Sequence, residues 1–387
     1  MAEKFDSTAD VPYLARDAKT VGPGGGEDLL AEDVGTTVDL VQTDETPDVE
    51  IMDDGGATVG EEEQTQEVGF LTNLAEVLEE GYLQSLSNEL LEKFENDKSS
   101  REEWEQGYTK GLDLLGFKYE ERTRPFRGAS SVNHPMLAQA VTQFQAMAYV
   151  ELLPSDGPVR TQVVGANNEK LQQAAERVKD YMNYEITHVM EDYNPEMDQL
   201  LFQLPLSGSS FKKIYFDEVL GRATSKFIPA EDVIVPYGAS DLDSCDRITQ
   251  IVKLSQNDLR KKQISGFYRD IDLTAYEGYE ASDIQEKKNE IDGERPNDYS
   301  SDDMTELLEM HIDLDLEGYE DINPKDNQPS GIKLPYIVTI DRGSNKVLSV
   351  YRNYNQEDAL RKKNEYFVHY KFLPGLGFYG FGLIHMI

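Results

Sequence analysis

Two groups of acidic side chains are the clearest candidates for chemistry in this sequence. The first alternates with the period of a strand and the second falls in a predicted turn: Asp313, Asp315 and Glu317, and Asp241, Asp243 and Asp246. Each group could offer several carboxylates to a hard cation such as Mg²⁺ or Ca²⁺. A chain with 74 acidic residues also produces such groups on ordinary solvated surfaces. That second interpretation is favoured, so no metal ligand is predicted.

Other catalytic patterns do not occur in the sequence. It contains no G-x-x-x-x-G-K-[S/T] phosphate loop, and its five histidines form no H-x-x-x-H or H-E-x-x-H pair. The residues around Gly208 do not build the G-x-S-x-G turn of serine hydrolases. The single cysteine, Cys245, lies near Asp243 and Asp246, whose charges raise a thiol pKa rather than lower it. The residues therefore name no reaction and no cofactor, and they predict a protein that is not an enzyme.

One short segment is conspicuously basic. Arg122, Arg124 and Arg127 surround Pro125 and Phe126 in a predicted loop. The three arginines could contact phosphate or a neighbouring acidic subunit. A loop held by local salt bridges explains them as well, and such exposed pairs are individually weak.

The net charge limits the partners of the chain. Its 387 residues include 37 basic and 74 acidic ones, a formal charge of −37. Such a surface repels DNA and anionic membranes, which argues against tight sequence-specific DNA binding but not against DNA that slides past. No apolar run approaches the length of a membrane span, and no secretory signal begins the chain. We expect an intracellularly made protein without a membrane partner.

The elements that must position these residues begin after an acidic arm. Residues 1–67 hold 19 acidic and 3 basic residues and almost no aromatics, so we predict disorder. Apolar spacing then predicts a helix up to Phe94. Four more are predicted: one opened by a capping box at Ser100–Glu103, one from Pro135, one from Glu169 to about Tyr193, and a short one at 197–206.

Strands dominate the second half of the sequence. We predict a hairpin on either side of Gly221, strands at 233–235 and 248–254, and a short helix capped by Ser255. Residues 277–304 are expected to be loop-like. A strand with one wet face follows around His311, and a second hairpin turns at Arg342–Asn345. The predicted fold class is therefore α+β, with a helix-rich first half followed by antiparallel strands and hairpins.

The last stretch, from Phe372, is apolar and rich in glycine. We expect it to need partners outside this sequence, as if the chain were cut within a domain.

Four stretches resemble the portal (head-to-tail connector) proteins of tailed double-stranded DNA bacteriophages, in the branch common among short-tailed phages. They are residues 125–135 (PFRGASSVNHP), 203–213 (QLPLSGSSFKK), 228–236 (IPAEDVIVP) and 375–383 (GLGFYGFGL). The resemblance covers about residues 70–387 and rests on these phrases and on the order of elements, not on a catalytic signature.

The resemblance implies a structural virion protein without a cofactor. Its members form a homo-oligomeric ring, a dodecamer, at one capsid vertex, through which the genome is packaged and ejected. The implied partners are the terminase large subunit, head-completion and tail adaptor proteins, capsid and scaffold proteins, and double-stranded DNA that passes without sequence specificity. The implied location is the virion, after assembly in the host cytoplasm.

The resemblance also implies a domain order. After the arm at 1–67, residues 68–255 would form a wing-like α+β domain. Residues 256–350 would form a stem- and clip-like region, in which the hairpin of Arg342, Gly343, Ser344 and Asn345 docks partners. Residues 351–387 would begin a return toward the channel.

Two alternatives stay open. The first is a carboxylate metal-dependent enzyme, nuclease-like, that uses Asp313 and Asp315. It would also need a basic substrate groove, which this composition does not favour. The second is another acidic virion scaffold protein, which would share the arm and the α+β body but would not close into a ring.

Overall fold

The computed structural model describes residues 69–115, 126, 134–165, 168–217, 220–273, 282–294, 304–322, 328–358 and 360–386, together with the backbone of 49–51 and 57–59. The chain divides into two compact units, residues 1–66 and 67–387. In the first unit, β1 (Val49–Ile51) and β2 (Ala57–Val59) pair antiparallel. The disorder predicted for the rest of residues 1–67 lies outside the described residues.

Among the described residues of the second unit, five helices precede the long strands. They are α1 (Glu80–Ser100), α2 (Glu102–Leu112), α3 (Met136–Leu152), α4 (Glu169–Tyr184) and α5 (Tyr193–Ser207). The predicted capping box at Ser100–Glu103 is wrong, because α1 runs through Ser100. The Ser100 hydroxyl donates to the Asp97 carbonyl instead of capping α2.

The α4 helix begins where the sequence predicts but ends sooner. Asn168 caps it by accepting a hydrogen bond from the Lys170 amide, and a π-helical turn at Glu185–Val189 interrupts the helix expected to reach about Tyr193. The following helix, α5, ends at Gly208, which has a φ of 80°. Only glycine adopts this left-handed conformation without strain, which makes it a natural helix stop.

Eight strands of the second unit are described, and they build two antiparallel sheets. They are β3 (Ser209–Asp217), β4 (Arg222–Pro229), β5 (Val233–Ile234), β6 (Arg247–Ser255), β7 (Met304–Leu314), β8 (Leu334–Asp341), β9 (Lys346–Arg352) and β10 (Phe367–Lys371). The three-stranded sheet has the order β10-β3-β4, and the five-stranded sheet has the order β5-β6-β7-β8-β9. Both predicted hairpins, β3–β4 and β8–β9, are present.

The largest core lies between α1 and the five-stranded sheet. From α1, apolar side chains between Leu83 and Phe94 face this core, and alternate residues of β7 from Leu308 to Leu314 meet them. The smaller sheet packs against α5, whose Leu200 and Leu204 are buried. The helical and strand periodicities of the sequence thus fix which faces meet.

Two short helices accompany the sheets, α6 (Gln256–Ile264) and α7 (Asp283–Asp292). Ser255 caps α6 as predicted, since its hydroxyl accepts a hydrogen bond from the Asp258 amide. The loop predicted for residues 277–304 is wrong where α7 forms. The cause is a tertiary contact, because Ile284 is buried in a cluster with Tyr108 and Leu112 of α2.

The glycine-rich stretch from Phe372 finds partners within the chain. The Phe372 amide donates to the Gly208 carbonyl, and the Gly380 amide donates to the Ser209 hydroxyl at 2.8 Å. Ile384 is buried beside α2. These residues therefore pack within the chain, and the expectation that they need outside partners is wrong for them. The contacts depend on glycines, which let two backbones approach closely.

The α+β fold class predicted from the sequence is confirmed, with helices first and antiparallel sheets after them. The five-stranded sheet combines β6, which ends at Ser255, with strands beyond that residue. The finer placement of wing, stem and clip regions stays a prediction. Within the described residues, no helix is both long and apolar enough to cross a membrane.

We predict that Gly382→Ala destabilises the protein strongly, whereas Gly377→Ala does not. A Cβ at Gly382 would lie 2.1 Å from the Leu206 carbonyl oxygen, while nothing lies within 4 Å of one at Gly377. The expected loss of unfolding free energy is at least about 2 kcal/mol for the first variant and below about 0.5 kcal/mol for the second. Urea unfolding measures both. Equal stability of the two variants would contradict the close backbone packing.

Candidate functional site

The three predicted arginines, Arg122, Arg124 and Arg127, lie outside the described residues. Of their loop the structure describes Phe126, whose side chain is exposed. Their contact with phosphate or a neighbouring subunit stays a prediction.

The predicted docking turn, Arg342–Asn345, packs against the body of the protein. The Arg342 guanidinium contacts carboxylates of Glu306 at 2.7 Å and Glu95 at 3.2 Å. The Asn345 carbonyl accepts a hydrogen bond from the Ser87 hydroxyl.

Inside the turn, Ser344 donates from both its amide and its hydroxyl to Asp341, and Asn345 has a φ of 57°. The flanking Gly343 is partly buried. The turn is therefore well anchored, and its docking role stays a prediction.

The fold brings together parts of the two acidic groups that the sequence kept apart. Asp313 at the end of β7 lines the same cleft of about 30 Å³ as Asp243 and Asp246. The Lys363 ammonium enters this cleft and donates to the carbonyls of Leu242 and Asp243, each at 2.9 Å. The cleft therefore contains a protein cation beside its carboxylates.

The remaining carboxylates do not complete a metal site. Asp241 accepts hydrogen bonds from the Ser244 amide and hydroxyl at 2.8 and 2.6 Å, which closes a turn. Asp315 and Glu317 lie beyond β7 and are exposed. In the described part of the chain, no three Asp, Glu, His or Cys side chains are arranged to hold a metal ion.

Burial and neighbouring charges shift the pKa values of two groups in this cleft. Partial desolvation raises the pKa of Asp313; Lys363 opposes this rise and Asp246 adds to it. Burial raises the pKa of the Cys245 thiol to about 11, with a smaller contribution from Asp246. The sequence predicted the direction of the thiol shift, but its main cause is burial. A thiol with so high a pKa is a poor nucleophile.

Sequence reasoning missed a charged cluster between the two sheets. The Lys213 ammonium on β3 lies 2.5 Å from the Glu309 carboxylate on β7 and 3.0 Å from the Gln250 amide oxygen. His311 Nε2 lies 2.8 Å from the same carboxylate. The predicted wet face is therefore wrong at His311, which is buried with its ring against Phe367 of β10, whereas Asp313 and Asp315 of the same face are exposed.

The cluster fixes the ionisation of its central carboxylate. Burial alone would raise the pKa of Glu309, but the charge of Lys213 and the hydrogen bond with His311 outweigh burial. Together they hold that pKa well below its ordinary value. The ionised Glu309 carboxylate accepts hydrogen bonds from its partners. It also links the two sheets, because Lys213 lies on β3 of the smaller sheet and Glu309 on β7 of the larger one.

The neighbouring Lys212 points to the opposite side of β3, as strand geometry requires. Its ammonium lies 4.0 Å from the centre of the Tyr193 ring, and within the described residues it has no hydrogen-bond partner. Burial lowers the pKa of Lys212 to about 8, although Glu196 opposes the shift. Two adjacent lysines thus tie β3 to α5 on one side and to β7 on the other.

A third polar centre surrounds the buried guanidinium of Arg101, which is 6% exposed. It donates to the carbonyls of Ala230 at 3.0 Å and Val233 at 2.9 Å. It also contacts the Tyr379 hydroxyl at 3.2 Å and the Glu105 carboxylate at 2.8 Å. We name this set of contacts the Arg101 junction. The sequence did not indicate this role for Arg101, because Ala230, Val233 and Tyr379 lie more than a hundred positions away from it.

We predict that Glu309→Gln changes the acid sensitivity of the fold. The folded pKa of Glu309 lies below its free value of 4.5, so the ionised group stabilises the fold above about pH 4.5 and this stabilisation is lost as the pH falls further. In urea unfolding from pH 7 to pH 3, the stability advantage of the wild type over the variant should shrink below about pH 5.

Glu89→Gln is the matched control, because the Glu89–Lys93 pair is exposed and contributes little. An advantage of the wild type over Glu309→Gln that is independent of pH would contradict the ionised cluster.

No protein-family model matches this chain, and the curated proteins contain no significant match. The roles assigned to the three polar centres therefore rest on their geometry.

Proposed function

We propose that this chain is a portal subunit, a structural virion protein that forms a ring at one capsid vertex for genome packaging and ejection. The observation that carries the proposal is that three of the segments resembling portal proteins pack together in the fold. Gly208 of the phrase 203–213 packs against Gly380 and Gly382 of the phrase 375–383. The Arg101 junction joins the phrase 228–236 to Tyr379 of the same terminal phrase.

Three phrases that are far apart in sequence thus form one packed junction. The resemblance therefore falls on residues that hold the fold together rather than on unrelated surface stretches. The polar centres also support a structural role. Lys363 occupies the acidic cleft, and the Lys213–Glu309–His311 cluster ties two sheets together. These arrangements give no specific support to a metal-dependent enzyme built on Asp313 and Asp315.

The charge of −37 fits a conduit for DNA. An acidic wall repels phosphates over the Debye length of about 8 Å at physiological salt, which keeps passing DNA from adhering. The proposal includes the terminase large subunit, head-completion and tail adaptors, and capsid and scaffold proteins as partners, and the virion as the location. Another acidic virion scaffold protein shares the charge but not the requirement for a closed ring.

The test is negative-stain electron microscopy of the purified 387-residue chain, combined with mass photometry. We predict rings with a central hole and about a dozen subunits, because heterologous contacts close into rings. The ring fraction should rise with salt, since screening weakens the repulsion between acidic copies. A monomer or a closed dimer at every salt concentration would contradict the proposal.

A further inference from the structure

The exposed side of α3 carries an apolar stripe that the described part of the chain leaves uncovered. Its residues recur at intervals of 4, 3, 4 and 3, and all but Gln143 are apolar: Met136, Ala140, Gln143, Met147 and Val150. The methionines and the valine are about 70% exposed. The opposite side of α3 packs on α5. On that side, Phe144 also contacts the ring of Phe372, which follows β10. The stripe is therefore on the face of α3 that points away from its own core.

The α4 helix carries a second stripe and has almost no core of its own. None of its residues is buried, although Leu171, Ala174, Val178 and Tyr181 recur at intervals of 3, 4 and 3. At least half of the Leu171, Val178 and Tyr181 side chains is exposed.

On its other side, α4 is held by the extended segment before it. There, the Asn183 side chain pairs with the Val159 backbone. Within the described residues, a helix with so strong an apolar pattern is left without a packing partner for its stripe.

The α4 stripe repeats the spacing of the last four positions of the α3 stripe. Intervals of three and four are those with which helices interlock side chains. Setting the stripes parallel gives four layers: Ala140 with Leu171, Gln143 with Ala174, Met147 with Val178, and Val150 with Tyr181. Ala140 then faces the larger Leu171 at one end of α4, and Val150 faces the larger Tyr181 at the other.

The charges beside the stripes fit the same register. Glu151 is the single charged residue of α3, and the parallel setting places it next to Arg177 of α4. On the other side, Met182 would enter an open groove of about 610 Å³ that Ala146 and Tyr149 of α3 line with Pro195 and Asp198 of α5. A flexible methionine suits such an irregular groove.

We propose that α3 of one copy packs against α4 of the next copy through these two stripes. The occupant is a second copy because a chain with a charge of −37 repels its own kind except where charge is low. The α3 helix is nearly uncharged, and α4 carries three basic and three acidic residues. The contact is head-to-tail, because the α3 stripe of one copy meets the α4 stripe of the next. Such contacts build rings when they close. The proposal names the seam of the ring in the proposed function and rests on it.

Thiol crosslinking between copies tests the seam directly. Full-length Met147→Cys and Val178→Cys chains are mixed and treated with a short bis-maleimide, and the products are identified by peptide mass spectrometry. The buried Cys245, whose pKa is raised to about 11, should not compete. We expect dimers linked from position 147 to position 178 in the mixture, and few dimers from either variant alone.

The control replaces Val178→Cys by Glu176→Cys, because Glu176 is exposed on the other side of α4. Equal yields from the two mixtures would overturn the proposal, as would dimers that form equally well from Val178→Cys alone. Binding of the chain to neutral lipid vesicles in place of crosslinking would overturn it as well.

A charge pair provides a second test of the same contact. Val178→Glu is expected to lower the assembled mass in mass photometry, with an unchanged circular dichroism spectrum, because Val178 is half-exposed. Adding Met147→Lys to the same chain should restore assembly. An unchanged mass for Val178→Glu, or a failure of the double variant to recover, would overturn the pairing.

The results also distinguish a failure of the α3–α4 pairing from a failure of the portal proposal. Crosslinks between positions 147 and 178 in chains that never close into rings would support the helix pairing and contradict the portal proposal. Rings that form without these crosslinks would support the portal proposal and overturn the pairing.

Discussion

The structure depends on one buried positive charge, the guanidinium of Arg101. Taking a charge out of water costs several kcal/mol unless hydrogen bonds replace the lost hydration. The planar fork of arginine can satisfy several acceptors at once, and here backbone carbonyls of Ala230 and Val233 supply them together with Glu105 and Tyr379. Arg101 therefore holds three segments close together: the start of helix α2, residues 230–233 and the terminal glycine-rich stretch.

The glycines then set how closely these segments approach. Gly208 ends α5 in a left-handed conformation, and side chains at Gly380 or Gly382 would strike the backbone around it. Ser209 completes the contact by accepting from the Gly380 amide. The polar contacts of Arg101 and the close glycine contacts thus reinforce each other. The glycines and the partners Ala230, Val233 and Tyr379 fall within the segments that resemble portal proteins, whereas Arg101 itself does not.

Local sequence patterns predicted much of this fold because their causes are local. The start of α3 after Pro135, the Ser255 cap and the hairpin at Gly221 each follow from residues within a few positions. The predictions failed where distant residues decide the outcome. Ile284 turns a polar segment into a helix by reaching α2, and Lys213 meets a carboxylate 96 residues away. The acidic cleft was not predicted, because the sequence showed two separate carboxylate groups and did not indicate that they meet beside Lys363.

The polar centres hold elements together, and in the proposed seam the exposed apolar stripes of α3 and α4 join neighbouring copies. Under the proposed function, the charge on most of the surface would keep DNA from adhering, and the low charge of the seam would allow copies to meet. The sequence predicted α3 and α4 as helices. The exposure of their apolar stripes became apparent only in the fold, because periodicity indicates an apolar face without indicating what covers it.

Amide hydrogen exchange of Arg101→Met tests the central constraint most directly, with Arg260→Met as the control, since the Arg260–Asp270 pair is exposed. We expect Arg101→Met to lose protection in residues 228–236 and 372–386 together, while β7 and β8 keep theirs. Tyr379→Phe, which removes one hydroxyl from the junction, should show a smaller loss in the same two segments. Loss confined to the α1–α2 connection, or spread evenly over both sheets, would contradict the claim that Arg101 joins these segments into one unit.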